Sequence, residues 1–139
     1  MILADTSAWV EYLRASGDPR DAALQALVRT DDLIVTEPVA MELLAGAPSE
    51  RTAARIRAVL GRHLLAPVGG IETFEQAAAI YWTCRTAGDT VRNSIDCLIA
   101  AVAIRVGASI LHKDRDFDVI ARHTHLRIEP VGGGEVSAG

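Results

Sequence analysis

The sequence has 139 residues, of which 50% are apolar and 23% charged, with a formal net charge of -4. This length and balance predict one globular domain, and they exclude a disordered chain or a small fold that depends on disulfides. The acidic balance also argues against a protein that coats nucleic acid, so any contact with nucleic acid must come from a local basic patch.

The expected location is the cytoplasm. No basic segment precedes the apolar run that opens the chain, and Asp5 ends that run, so we expect no signal peptide. No apolar stretch approaches the roughly 20 residues of a membrane span. The two cysteines, Cys84 and Cys97, form no C-x-x-C pair and are expected to be reduced and buried.

Short apolar strands alternate with segments of helical periodicity along the chain. The first strand ends at Asp5, and Thr6 or Ser7 is expected to cap the helix that follows. The clearest helix begins at Asn93, because apolar residues then recur at helical spacing until Gly107. The predicted strands cover residues 2–4, 33–35, 64–68, 109–112 and 126–128, with helices starting near residues 7, 19, 37, 49, 73, 93 and 116.

This alternation predicts an α/β fold, a three-layer α/β/α sandwich around a mainly parallel central sheet. The chain contains no internal repeat and no linker. We therefore expect a single domain over residues 1–131 and a flexible tail over residues 132–139.

Acidic residues occupy positions that this fold would bring together. Asp5 ends the first strand, and Asp114 and Asp116 follow the fourth. Asp96 lies in the first turn of an apolar helix, where the helix dipole favours a carboxylate. Strand carboxyl ends and the helix N-termini after them share one edge of a parallel sheet, so these acids should converge. Glu42 joins them only if its helix turns the right face inward.

Converging carboxylates repel one another, because two charges ~4 Å apart cost about 4 kcal/mol at an effective dielectric near 20. Such a cluster is stable if it holds a proton or binds a cation, and ligands that are all oxygen suit Mg²⁺ or Mn²⁺. A metal held in this way supports phosphodiester hydrolysis.

The predicted roles divide the acids into ligands and a base. Asp5 and Asp96 are expected to bind the metal directly, and Asp114 to bind a second ion or hold its water. Glu42 is expected to orient water or act as general base, while Thr6 or Ser7 would bind water or phosphate.

The residues alone also permit simpler roles for the same acids. Asp5 can be a helix cap, Glu42 a solvated helix charge, and Asp96 an ordinary acid of a helix N-terminus. Spacing does not separate Asp114 from Asp116, one of which is expected to cap the last helix.

Four segments in order resemble the motifs of PIN-domain ribonucleases. ILADTSAW at residues 2–9 resembles the first motif, and TEPVAMELL at 36–44 resembles the second acidic helix. DCLIAA at 96–101 is similar to D-x-x-I-A-A, and LHKDRDF at 111–117 is similar to the motif that ends D-x-D-F. Within this family, the chain most resembles the VapC toxins.

This resemblance implies a PIN-like α/β/α domain with Mg²⁺- or Mn²⁺-dependent endoribonuclease activity. It implies a homodimer, a VapB-like antitoxin, and transfer or ribosomal RNA as substrate. It assigns the catalytic quartet to Asp5, Glu42, Asp96 and Asp114, with Asp116 as a further candidate for the fourth acid.

Other residues near the motifs are candidates for supporting roles. Asn93 can cap the helix that carries Asp96. Basic side chains beside the third and fourth motifs can grip RNA phosphates or be solvated surface charges: Arg85, Arg92, Lys113 and Arg115. The aromatic residues are expected in core or dimer packing: Trp9, Tyr12, Tyr81 and Trp82.

Two other functions compete with this interpretation. An aspartyl-phosphate receiver domain shares acids and Lys113 at strand ends, but it needs a phosphoacceptor that ends a middle strand, and Asp96 instead begins a helix. A PIN scaffold without catalysis would require the loss of an acid, and all four are present.

Overall fold

Five strands and seven helices make up the part of the chain that the computed structural model describes, residues 1–132. The strands are β1 (Ile2–Ala4), β2 (Leu33–Val35), β3 (Leu64–Leu65), β4 (Ser109–Leu111) and β5 (Arg127–Ile128). The helices are α1 (Thr6–Leu13), α2 (Pro19–Leu27), α3 (Glu37–Ala45), α4 (Glu50–Leu60), α5 (Ile71–Thr86), α6 (Ser94–Val106) and α7 (Arg115–His123). The tail predicted over residues 132–139 lies, except for residue 132, outside the described residues.

The strands form one sheet in the order β3-β2-β1-β4-β5, and every neighbouring pair is parallel. Leu3 of the central strand lies opposite Ile34 on one side and Ile110 on the other. The three inner strands are short apolar runs because helices cover both faces of a parallel sheet. The predicted α/β fold is confirmed.

The core lies between this sheet and the helices. Trp9 of α1, Ile99 of α6 and Phe117 of α7 are fully buried beside the central strands. Both free thiols, Cys84 and Cys97, are buried as expected. No helix within residues 1–132 is long and apolar enough to cross a bilayer.

Several predicted element ends are wrong, and caps explain two of them. Asp5 itself caps α1, because its carboxylate accepts the N–H of Ser7; neither Thr6 nor Ser7 is the cap. Asp114 caps α7 in the same way, so that helix begins at Arg115 and not at residue 116. The other differences are that α5 begins two residues early and that β3, β4 and β5 are shorter than predicted.

Candidate active site

The carboxyl edge of the sheet carries the predicted acids. Asp5 follows β1 and Asp114 follows the end of β4, the strand beside it. Asp96 lies in the first turn of α6, which Asn93 caps by accepting the N–H of Ile95 at 3.0 Å. The fold thus brings together acids that are about 90 residues apart in sequence.

Three carboxylates form the tightest group. One oxygen from each of Asp96, Asp114 and Asp116 lies within 4.8 Å of the other two. The side chain of Asp114 is 29% exposed, whereas Asp96 and Asp116 are buried. The group is therefore open to solvent on the side of Asp114 and closed behind it.

The protonation of Asp96 reflects this crowding. Burial, followed by the charges of Asp5 and Asp114, raises the pKa of Asp96 from 3.8 to about 8. Burial also raises the pKa of Asp5, and the charge of Glu42 adds to the effect although hydrogen bonds from Ser7 oppose it. Asp5 and Glu42 thus belong to the same electrostatic cluster, although they lie outside the tightest group.

Two buried carboxylate oxygens have no hydrogen-bond partner among the described residues: Asp5 Oδ1 and Asp96 Oδ2. A buried acceptor without a partner is costly, and a cation can satisfy it. The available donors are all carboxylate oxygens, the ligands that Mg²⁺ and Mn²⁺ favour. The residues present therefore fit a hard divalent cation.

Hydroxyl groups fix the two acids that flank the group. Thr6 Oγ1 donates to Glu42 Oε1 at 2.6 Å, so α3 turns this acid toward the site. Ser7 Oγ donates to Asp5 Oδ2 at 2.7 Å and accepts the N–H of Lys113 at 2.8 Å. Ser7 therefore joins the end of β1 to the loop after β4, while Thr6 joins α1 to α3.

Arg92 separates the roles of the two acids in the fourth motif. Its backbone N–H and its Nε donate to Asp116 at 3.1 and 3.3 Å, and a terminal nitrogen contacts Asp114 at 3.3 Å. Asp116 is thereby tied to the loop before α6. Asp114 is the more exposed acid and has one oxygen that these contacts leave free.

The other predicted basic residues differ in their distance from the acids. Arg115 approaches Asp116 at 3.9 Å. Lys113 instead pairs with Asp18 at 3.0 Å, and Arg85 lies over the ring of Tyr81 on α5. Among the four predicted phosphate contacts, Arg92 and Arg115 thus lie at the acidic group.

Sequence reasoning missed two features of this site. His112 is buried, and its ring contacts the backbone of Asp114, a contact that no periodicity or motif spacing indicates. A cavity of about 390 Å³ opens beside Thr6 and Glu42, with Arg14 at its edge. Its other walls come from α1, α3 and α4, and only their packing creates it.

Comparison with known proteins identifies the family of this fold. The PIN-domain family matches residues 2–123. A VapC ribonuclease of Mycobacterium bovis and ribonuclease VapC11 of Mycobacterium tuberculosis are each 46% identical over 129 residues. The alignment covers 91% of this chain and 96% of each relative.

Solved structures share the fold at lower identity. The toxin–antitoxin complex VapBC2 of Rickettsia felis, bound to promoter DNA, contains a chain with a TM-score of 0.75 at 20% identity, covering 95% of this chain and all of that one. VapC20 of Mycobacterium tuberculosis, described as a toxin that cleaves the sarcin-ricin loop, has a TM-score of 0.65 at 23% identity, with 91% and 99% covered.

The family match over most of the chain defines a PIN domain. Together with the identity to the mycobacterial proteins, it shows that this chain belongs to the VapC ribonucleases, the PIN-domain toxins of toxin–antitoxin systems.

Proposed function

We propose that this protein cleaves RNA phosphodiester bonds internally with Mg²⁺ or Mn²⁺ at the acidic group. The observation that carries the proposal is the pair of buried, unpartnered oxygens of Asp5 and Asp96 beside the carboxylates of Asp114 and Asp116. Acidic groups that are buried close together, with raised pKa values, are typical of a functional site. The two mycobacterial relatives, each named a ribonuclease, support the same reaction.

The position of each acid indicates its role in cation binding or proton transfer. Asp5 and Asp96 would hold the cation, and Asp114 would complete its ligands or hold a second ion. A bound divalent cation supplies Lewis-acid polarisation of the phosphate and activation of water. Glu42, oriented by Thr6, would accept a proton from the attacking water. Asp116 would act chiefly by anchoring Arg92.

RNA would approach the open side of the acidic group. Arg92 is exposed there and touches both acids of the fourth motif, so its guanidinium can turn to a phosphate once a cation neutralises those acids. Arg115 lies beside it, and Lys113 and Arg85 remain candidates for contacts further along the strand. Transfer or ribosomal RNA is the substrate class that the family resemblance implies.

We further propose that the protein is a toxin blocked by a VapB-like antitoxin and that it forms a homodimer. The solved relatives support the antitoxin, since several are toxin–antitoxin complexes. An apolar face of α5 supports the dimer. Phe74 and Trp82, which are 49% and 59% exposed, line a cavity of about 480 Å³ between α5 and α6.

Cleavage by the purified protein tests the reaction. We expect total RNA to be cut with Mg²⁺ and to stay intact with a chelator. The variants Asp5→Asn and Asp96→Asn should lower the rate at least about 100-fold while circular dichroism shows the same fold. Asp31→Asn, at an exposed acid just before β2, serves as the matched control and should cleave normally. Metal-dependent cleavage that survives both site variants would overturn the proposal.

A further inference from the structure

His112 is the last residue before the turn that carries Asp114. Its side chain is only 5% exposed, and its ring lies against Phe117 with 5.3 Å between the ring centroids. The Nε–H of Arg20 donates to the carbonyl oxygen of His112 at 2.9 Å, which fixes the backbone of His112. Because both the backbone and the ring of His112 are held, the ring has one orientation, and each of its two nitrogens faces a fixed neighbour.

Both ring nitrogens have partners. Nδ1 accepts the backbone N–H of Asp114 at 2.9 Å, and Nε2 contacts a carboxylate oxygen of Asp118 at 3.2 Å. Because the Asp114 amide can only donate, Nδ1 carries no proton and the hydrogen lies on Nε2, from which it points to Asp118. Nδ1 therefore holds the backbone of Asp114, whereas Nε2 faces an exposed carboxylate on α7.

The turn after β4 is held at two consecutive amides. The N–H of Lys113 donates to Ser7, the residue that also binds Asp5. The N–H of Asp114 donates to His112, and the carboxylate of Asp114 then accepts the N–H of Asp116. The position of the Asp114 carboxylate in the acidic group thus depends on an acceptor that the ring of His112 supplies.

We propose that His112 is a positioning residue for the cation site: its Nδ1 holds the amide of Asp114 and so sets where that carboxylate lies. The inference rests on the proposed role of Asp114 in binding Mg²⁺ or Mn²⁺. It adds a residue that touches neither cation nor RNA, and it assigns the effect to one nitrogen of the ring. Residues that orient metal ligands typically change metal affinity by about 10–100-fold when they are replaced.

Two amide substitutions separate the ring nitrogens. The amide of Asn can reach the place of Nδ1 and accept from Asp114, whereas the longer Gln reaches the place of Nε2 and Asp118. Both variants lose the packing against Phe117 to a similar extent, so they are matched controls for each other. Asp118→Ala removes only the partner of Nε2 at an exposed position and is a third variant expected to fold.

Binding of Mn²⁺ to the full chain, followed by the loss of the free-ion electron paramagnetic resonance signal, is the direct readout. We expect His112→Gln to weaken binding about 10-fold or more, and His112→Asn and Asp118→Ala to stay close to the parent. In cleavage assays, His112→Gln should need more Mg²⁺ for half-maximal rate while its KM for RNA is unchanged. Melting temperatures in chelator should be similar for the Asn and Gln variants.

Equal weakening by Asn and Gln, or Mn²⁺ binding by the Gln variant as tight as that of the parent, would overturn the role of Nδ1. Loss of affinity in Asp118→Ala as large as in His112→Gln would overturn it as well. A parent protein that binds no Mn²⁺ would overturn the proposed function itself, so the two failures are distinguishable.

Discussion

Asp96 shows how one buried carboxylate can connect stability with function. Its pKa in the folded protein, about 8, is far above the ordinary 3.8, chiefly because the group is buried and secondly because Asp5 and Asp114 lie nearby. A raised pKa in the folded state stabilises the fold at low pH, where the group is protonated. That stabilisation is lost as the pH rises from about 4 towards 8. A bound cation would offset this loss of stability by pairing with the ionised form of Asp96.

Asp96→Asn should therefore stabilise the metal-free protein at pH 8, by about 2 kcal/mol or more, since one pKa unit is worth about 1.4 kcal/mol. The gain should shrink towards pH 4, where the parent side chain is already neutral. Urea unfolding in chelator at pH 5 and pH 8 measures both values, with the exposed Asp31→Asn as the control. A variant that is no more stable than the parent at pH 8 would contradict the claim that ionised Asp96 destabilises the metal-free fold.

Residue types and positions were predictable where local chemistry decides them. Asp5 at a strand end and Asp96 in a first turn follow from elementary rules of sheets and helices, and both lie at the site. The ring of His112 and the contacts of Arg92 were not predictable in the same way. Arg92 contacts acids that are 22 and 24 residues away in sequence. The ring of His112 contacts nearby residues, Asp114 and Asp118, but only the folded turn after β4 places them against its two nitrogens.

At the scale of elements, helix α5 has two different faces. Thr73, Ala77, Ile80 and Cys84 face the core, whereas Phe74 and Trp82 lie on a second apolar face that is largely exposed. Large exposed side chains that cluster beside a cavity mark an interaction surface. Sequence periodicity predicted the helix, but it could not separate the buried face from the exposed face because both carry apolar residues.

Trp82→Glu should convert a homodimer to a monomer, because it places a charge in the proposed interface of α5. The parent is expected at the mass of two chains of 14.8 kDa, measured by light scattering after size exclusion. The neighbouring Thr83 is exposed on another side of the helix, so Thr83→Glu is the matched control and should stay dimeric. A monomeric parent, or a dimer that tolerates Trp82→Glu, would contradict this interface.

At the scale of the whole molecule, the parallel sheet accounts for the site. The alternation of strands and helices predicted the fold class, and the strand order places β1 beside β4 so that their carboxyl ends meet. The ends of several elements were predicted less well. Strands of two or three residues carry little pattern, and Asp5 and Asp114 serve both as helix caps and as members of the acidic cluster.

The central claim is that the acids converge to hold a divalent cation, and anomalous diffraction from crystals grown with Mn²⁺ tests it most directly. We predict an anomalous peak within about 2.5 Å of a carboxylate oxygen of Asp96 and of at least one of Asp5 and Asp114. Crystals saturated with Mn²⁺ that show no peak among these oxygens, with their side chains pointing apart, would contradict the account.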